Sequence, residues 1–149
     1  MTALSPQPSL RSRLAAFSTM GSATASEVLA RAGFDCVVVD LEHGLGSEAT
    51  FVEDVRAVEA AGASTIARIE EISRLRASRP LDHGAAGIIF PRVESAEEAA
   101  AAVSYVRYPP QGKRGVALST RSSAFGGGPG LAEANDRVAC IVQIETGTG

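Results

Sequence analysis

The chain holds no tryptophan, two tyrosines, two histidines and two cysteines in 149 residues. No Cys-x-x-Cys spacing is present, which removes the common thiolate zinc sites. Cys36 and Cys140 each sit inside an apolar run, Cys36–Asp40 and Ala139–Glu145. Buried thiols in such runs behave as small hydrophobes, so no disulfide is expected. Positive charge is not in excess: the net charge is -3, which argues against a nucleic-acid partner. No apolar run approaches the ~18 residues of a membrane span. The first 13 residues carry Pro6, Pro8 and three serines and lack the apolar centre of a signal peptide. They read as a loose N-terminal tail ahead of a domain over residues 14–149, in a cytoplasmic protein. What remains is an ordinary globular composition, 45% hydrophobic and 21% charged, in about one domain's length.

One pattern recurs along the chain. A helical stretch ends in glycine, and a short apolar run follows: Gly33 before Cys36–Asp40, Gly62 before Thr65–Ile69, Gly84 before Gly87–Pro91. Glycine supplies the left-handed turn that closes a helix. The runs are rich in Val and Ile without alternation, as in strands buried on both faces. Cys140–Glu145 is a fourth run, and a weaker one surrounds Phe17. Helices are expected at about 47–61, 73–83 and 95–106, the second kinked or shortened by Pro80. Val52, Val55 and Val58 should share one face, as should Ala99, Val103 and Val106. Thr24–Glu27 and Ser95–Glu98 fit capping boxes. His83, just before Gly84, suits a cation at a helix C-terminus.

Strands alternating with helices imply a parallel sheet with right-handed crossovers. A dinucleotide-binding sheet would want a glycine fingerprint after the first strand; Met20-Gly21-Ser22-Ala23 is not one. The glycine run at 126–130 follows no convincing strand and reads as a loop.

Charged residues collect at the ends of the runs. Asp40, Glu42 and His43 follow Val37-Val38-Val39. Arg68 sits in the Thr65–Ile69 run, Pro91 and Arg92 follow Ile88-Ile89-Phe90, and Glu145 follows Val142-Gln143-Ile144. In parallel α/β folds the carboxyl ends of the strands form the site face. Glu145 can hold a hard divalent cation. Such an ion can polarise a 2-oxo group and stabilise an enolate. Arg68 offers a planar fork to a carboxylate or oxyanion. His43 can move a proton, as histidines do near neutrality, and Asp40 can orient the imidazole or act through water. Asp40 and Glu42 can equally be caps of the next helix, and His43 a turn histidine. A buried arginine or glutamate is harder to explain as structure alone.

Taken together, Ala32-Gly33-Phe34-Asp35, Asp40-Leu41-Glu42-His43-Gly44, Leu81-Asp82-His83-Gly84-Ala85, Phe90-Pro91-Arg92-Val93, the segment from Arg107-Tyr108-Pro109-Pro110 to Arg114-Gly115, and Val142–Thr146 resemble the HpcH/HpaI aldolase family. The resemblance runs from about Phe17 to Thr146. It implies the N-terminal part, about five βα units, of a (β/α)8 TIM barrel. It implies metal-dependent, reversible cleavage of 4-hydroxy-2-oxo acids to pyruvate and an aldehyde. The divalent metal would be Mg²⁺ or Mn²⁺, with Co²⁺ a third candidate. The family's roles fall on Glu145 as metal ligand, His43 with Asp40 as the catalytic pair, and Arg68 and Pro91 at the substrate. Asp82 would help at a neighbouring subunit's site, and a homo-oligomer, often a hexamer, is implied. Two strand ends depart from the usual pattern: Glu70 stands where proline is usual, and Arg92 where methionine is usual. Ala67-Arg68-Ile69 and Pro91–Ser95 lean slightly toward the acyl-CoA lyases of the same superfamily, and Tyr108-Pro109-Pro110-Gln111-Gly112 pulls back toward the aldolases. A full barrel takes about 250 residues, so the sequence is expected to be truncated. A non-catalytic fragment is an alternative reading.

Overall fold

The computed structural model describes residues 14–128 and 130–149. The expected tail and Pro129 of the glycine run lie outside the described residues. Five strands form one sheet: β1 (Ala15–Ser18), β2 (Cys36–Asp40), β3 (Ser64–Arg68), β4 (Gly87–Phe90) and β5 (Ala139–Val142). All neighbours are parallel, and the order in space is the order in sequence. A doubly wound sheet reverses its strand order at a switch point. This one does not reverse, which is the winding of a barrel wall.

The absence of alternation in the strands has a direct cause. Val37, Val39, Ala67, Ile88 and Phe90 face the helices, packing on Phe51, Val55, Val58, Leu81, Ala102 and Val106. Cys36, Val38, Ile66 and Ile89 face the other way and pack with Ile141 on the concave side. Both sides of each central strand are therefore apolar. Asp40 and Arg68 share the parity of the second set, which places both on the concave side.

The helices are α1 (Ala23–Arg31), α2 (Glu48–Ala60), α3 (Arg74–Asp82), α4 (Ala96–Val106) and α5 (Leu131–Arg137). Gly33, Gly62 and Gly84 follow α1, α2 and α3 with φ of +101°, +88° and +108°, the left-handed turn that lets the chain leave a helix. Several local expectations need correction. The cap of α1 is Ser22, whose Oγ accepts from the Ala25 N–H, so Thr24 lies inside the helix and Glu27 pairs with Arg31. The reciprocal box belongs to α2, between Ser47 and Thr50. Ser95 does cap α4, but the Glu98 carboxylate takes the Glu94 N–H at 2.7 Å instead of closing back on Ser95. The inward row of α4 is Ala102 and Val106 with half-buried Ala99, while Val103 is 45% exposed. A 100° step per residue separates Val103 from that stripe. Phe51 joins Val55 and Val58 as the buried row of α2, and Val52 is only half-buried. Pro80 is carried inside α3, which still runs to Asp82 and closes with the His83 N–H on the Arg79 carbonyl.

Cys36 is buried and Cys140 half-buried. Among the described residues no helix is long and apolar enough to cross a membrane. A buried polar chain crosses three elements: Ser18 of β1 meets Ser26 of α1 at 2.9 Å, and Ser26 donates to Asp54 of α2 at 2.6 Å.

Candidate active site

β2 and β3 bring the first charged pair together by register alone. Asp40 lies opposite Arg68 at the carboxyl ends of the two strands. Arg68 Nε donates to Asp40 Oδ1 at 2.9 Å and Nη2 to Oδ2 at 2.6 Å, a two-pronged contact that fixes the guanidinium plane. The Arg68 side chain is 14% exposed and that of Asp40 only 1%. Phe17 of β1 lies beneath, its ring centroid 4.9 Å from the Arg68 Cζ. Burial pushes the Asp40 carboxyl up, but the Arg68 bonds and charge and the His43 and Glu42 N–H groups outweigh it and leave it below its ordinary value. The hydrogen bonds to Asp40 raise Arg68 above its already high value despite burial, and the Asp40, Glu42 and Glu145 charges add to this. Arg68 is therefore a permanent cation in a fixed pose, and its Nη1 has no partner among the described residues.

The chain then turns tightly over the end of β2. Asp40 Oδ1 also accepts from the backbone N–H groups of Glu42 and His43, both at 3.1 Å. A side chain at Gly44 would place its Cβ 2.3 Å from the Asp40 carbonyl oxygen, so the turn closes only with glycine there. The turn sends His43 outward, 70% exposed, while the Glu42 side chain stays 8% exposed. Glu42 approaches Arg68 Nε at 3.5 Å and His43 Nε2 at 3.7 Å. This corrects the expectation for Asp40. Its carboxylate holds Arg68 and the backbone of the turn, and the carboxylate beside the imidazole belongs to Glu42. The Asp-x-Glu-His spacing already contained that possibility, because a tight turn folds residue 42 back over the strand end.

β4 and β5 supply the other wall. Pro91 is buried at the end of β4. Arg92 follows with φ +52°, and its N–H donates to Glu145 Oε2 at 2.9 Å. The regular strand β5 stops at Val142, three residues short of the expected end. Gln143 nevertheless continues the ladder, its N–H on the Phe90 carbonyl and its own carbonyl accepting from Val93. Glu145 is exposed at this rim. Gln143, two residues earlier and so on the same side of the chain, has a buried Oε1 with no partner. It was not among the expected site residues, although its place in the Val142–Glu145 run signalled it.

Among the described residues no three His, Cys, Asp or Glu side chains converge on a metal position. The donors present are of the right chemistry. Glu145 offers one oxygen unbound by protein, and Gln143 offers an orphaned amide oxygen. Hard divalent ions take oxygen ligands and complete their shells with water and substrate. These residues fit such an ion as part of its shell.

Asp82 is not brought to this rim. It ends α3, at the opposite end of the sheet, where the Arg114 Nη2 lies 3.3 Å from its Oδ1. Arg114 is buried and stacks over the Tyr108 ring, 4.4 Å from the centroid. Tyr108 in turn exchanges backbone bonds with the Asn135 side chain. A Cβ on Gly112 would meet the Ser104 carbonyl at 2.4 Å. The segment from Arg107 to Gly115 is thus built to fold a tight loop at the far rim. The chain's one lysine, Lys113, is in that loop, with its N–H on the Ser104 carbonyl, so no lysine of this chain stands at the Asp40–Arg68–Glu145 rim. A groove between α2 and α3 carries Arg76, Arg79 and His83, but Glu48 pairs with both arginines, which makes it an interhelical strut.

A 2-dehydro-3,6-dideoxy-6-sulfogluconate aldolase from Pseudomonas putida is 42% identical over 128 residues, covering 85% of this chain and 50% of that protein. A 5-keto-4-deoxy-D-glucarate aldolase from Klebsiella pneumoniae subsp. pneumoniae is 38% identical over 125 residues, covering 83% of the chain and 49% of that protein. A crystal structure of an HpcH/HpaI aldolase/citrate lyase family protein from Burkholderia cenocepacia J2315 superimposes with a TM-score of 0.86 at 35% identity, covering 92% of this chain and 56% of that one. The chain spans about half the length of the curated relatives it matches. The family profile itself matches residues 13–149, which takes in every strand of the wall and every charged group at its rim: the chain belongs to the HpcH/HpaI aldolase/citrate lyase family.

Proposed function

We propose that this chain carries the 2-oxo-acid end of a divalent-metal-dependent aldolase that cleaves 4-hydroxy-2-oxo acids to pyruvate and an aldehyde. The observation that carries the reading is the Arg68 fork, locked by Asp40 and facing the Glu145 rim. It is a fixed cation at the place where negative charge would develop. Two relatives' names, a 6-sulfogluconate and a glucarate derivative, denote six-carbon oxo acids with a second strongly acidic group. A substrate of that kind is proposed here as well.

In this reading Arg68 binds the 2-oxo-acid end of the substrate through the donors that Asp40 leaves free. His43, exposed at the rim beside Glu42, takes the proton from the C4 hydroxyl. The C3–C4 bond breaks, C4 becomes the aldehyde carbon, and the electron pair moves onto the C2 oxygen as an enolate. Arg68 stabilises that charge, and a proton delivered to C3, through His43 or water, completes pyruvate. Pro91 shapes the wall beside the 2-oxo acid. Glu145, with Gln143 nearby, would hold Mg²⁺, Mn²⁺ or Co²⁺, which when bound supplies Lewis-acid polarisation of the 2-oxo group. A homo-oligomer is part of the proposal, because Asp82 at the far rim reaches a site only in a neighbouring copy.

The test is pyruvate release from 4-hydroxy-2-oxo acids with Mg²⁺ or Mn²⁺, run beside 3-hydroxyacyl-CoA substrates. Arg68→Met should lower kcat/KM by about 100-fold or more, the usual loss for one oxyanion donor. Turnover of the CoA compounds alone would replace the aldolase reading with an acyl-CoA lyase.

A further inference from the structure

The chain segments just past β3 and β4 touch each other. Arg92 Nη2 donates to the Glu70 carbonyl oxygen at 2.6 Å. Arg92 thus lies across the rim between the end of β3, which carries Arg68, and the end of β5, which leads to Glu145. Its backbone is in the left-handed region at φ +52°, which a residue with a side chain adopts at a cost of about 1 kcal/mol. That conformation points its N–H at the Glu145 carboxylate and sends the side chain over the rim.

The charge on Arg92 is uncompensated. Arg68 is paired with Asp40 and Glu42. Arg76 and Arg79 are paired with Glu48, Arg114 with Asp82 and Arg121 with Glu59. The Arg92 guanidinium has no carboxylate within 4.0 Å among the described residues, and the Glu70 side chain turns away toward Arg76, at 3.8 Å. The acceptor the guanidinium meets is a neutral backbone carbonyl, which leaves most of its five donors free. Arg92 is exposed, one residue past buried Pro91, on the rim where a substrate held by Arg68 would extend its far end.

We infer that Arg92 determines substrate specificity, by pairing with an anionic group, carboxylate or sulfonate, at the end of the substrate remote from the 2-oxo acid. The inference rests on the aldolase reading and extends it: Arg68 reads the oxo-acid end, and Arg92 reads the second acid. A guanidinium fork matches either group with two parallel hydrogen bonds. The Glu70 carbonyl fixes the direction of the fork before substrate arrives.

The experiment compares kcat/KM for two 4-hydroxy-2-oxo acids of equal length, one ending in a carboxylate and the other in a primary alcohol. Wild type should prefer the acid. Arg92→Met (R92M), which removes the charge and keeps an unbranched side chain, should shrink the acid-to-alcohol ratio by at least about tenfold, the size of one charge-assisted contact. Arg92→Lys should recover part of the ratio. Arg92→Gln, which keeps a donor for the Glu70 carbonyl and loses the charge, answers the same question if R92M does not fold. An equal loss on both substrates would overturn the inference and reduce Arg92 to a support for Glu145. So would a wild-type enzyme with no preference for the acid. Failure of wild type to cleave either substrate would instead overturn the aldolase reading, and the role of Arg92 with it.

Discussion

Replacing Asp40 with alanine removes the acceptor of four hydrogen bonds at once: two from Arg68 and one each from the Glu42 and His43 backbones. The Arg68 side chain, 14% exposed, is left with Glu42 at 3.5 Å as its nearest anion. Breaking one side of a buried ion pair costs about 3–5 kcal/mol. At ~2–4 °C per kcal/mol for a domain of this size, that lowers the unfolding midpoint by about 6–20 °C. Replacing both partners with apolar residues, Asp40→Ala with Arg68→Met, leaves no orphaned charge and should be milder than the sum of the singles by about 1–3 kcal/mol. The assay is urea unfolding of wild type, both singles and the double. The pH dependence has a definite sign. The Asp40 carboxyl is depressed in the folded protein, so its contribution is fully present above the unfolded value of about 3.9 and is lost as pH falls through the lower folded value. Asp40→Asn should erase that acid-side loss. Additive effects within ~0.5 kcal/mol in the cycle would refute the pair as the strut of this rim.

Other outcomes follow from the same geometry. Burial pushes the Asp54 carboxyl up against the opposing Ser26 bond, so its contribution is present below the unfolded value and lost as pH rises through the folded one. Asp54→Asn should flatten that decline in unfolding free energy measured at several pH values. Gly44→Ala forces a Cβ to within 2.3 Å of the Asp40 carbonyl. It should cost about 1–3 kcal/mol of stability and lower pyruvate release by displacing the turn that holds His43. Phe51→Ala, at a fully buried position of α2, should cost about 3–5 kcal/mol in chemical unfolding while leaving the rim residues in place.

The wall of the barrel was legible because its physics is local. Glycine closes each of the first three helices, and strands covered on both faces must be apolar throughout, as Val37–Val39 and Ile88–Phe90 are. The charged rim was legible for a related reason: Arg68 and Asp40 interrupt apolar runs where only a partner explains them. Partner choice was less readable. Asp40 and His43 at three-residue spacing suggest a pair, but the turn built around Gly44 places Glu42 beside the imidazole and commits Asp40 to Arg68. Gln143 was hidden because an amide in an apolar run carries no charge to mark it, and only its unpartnered buried oxygen exposes it. Asp82 lies away from that rim because a helix that starts at one rim must end at the other, which is compatible with the role expected for it at a neighbouring subunit's site. The contact of Arg92 with Glu70 crosses two strands, and no linear spacing encodes it.

The most direct test of the site needs only its pyruvate end. In D2O with Mg²⁺ or Mn²⁺, the protein should exchange the C3 protons of pyruvate, followed by proton NMR. Chelation, Arg68→Met and Glu145→Gln should each slow that exchange by about 100-fold. Absence of exchange in the wild-type protein, or exchange unchanged by Glu145→Gln and by chelation, would contradict the account.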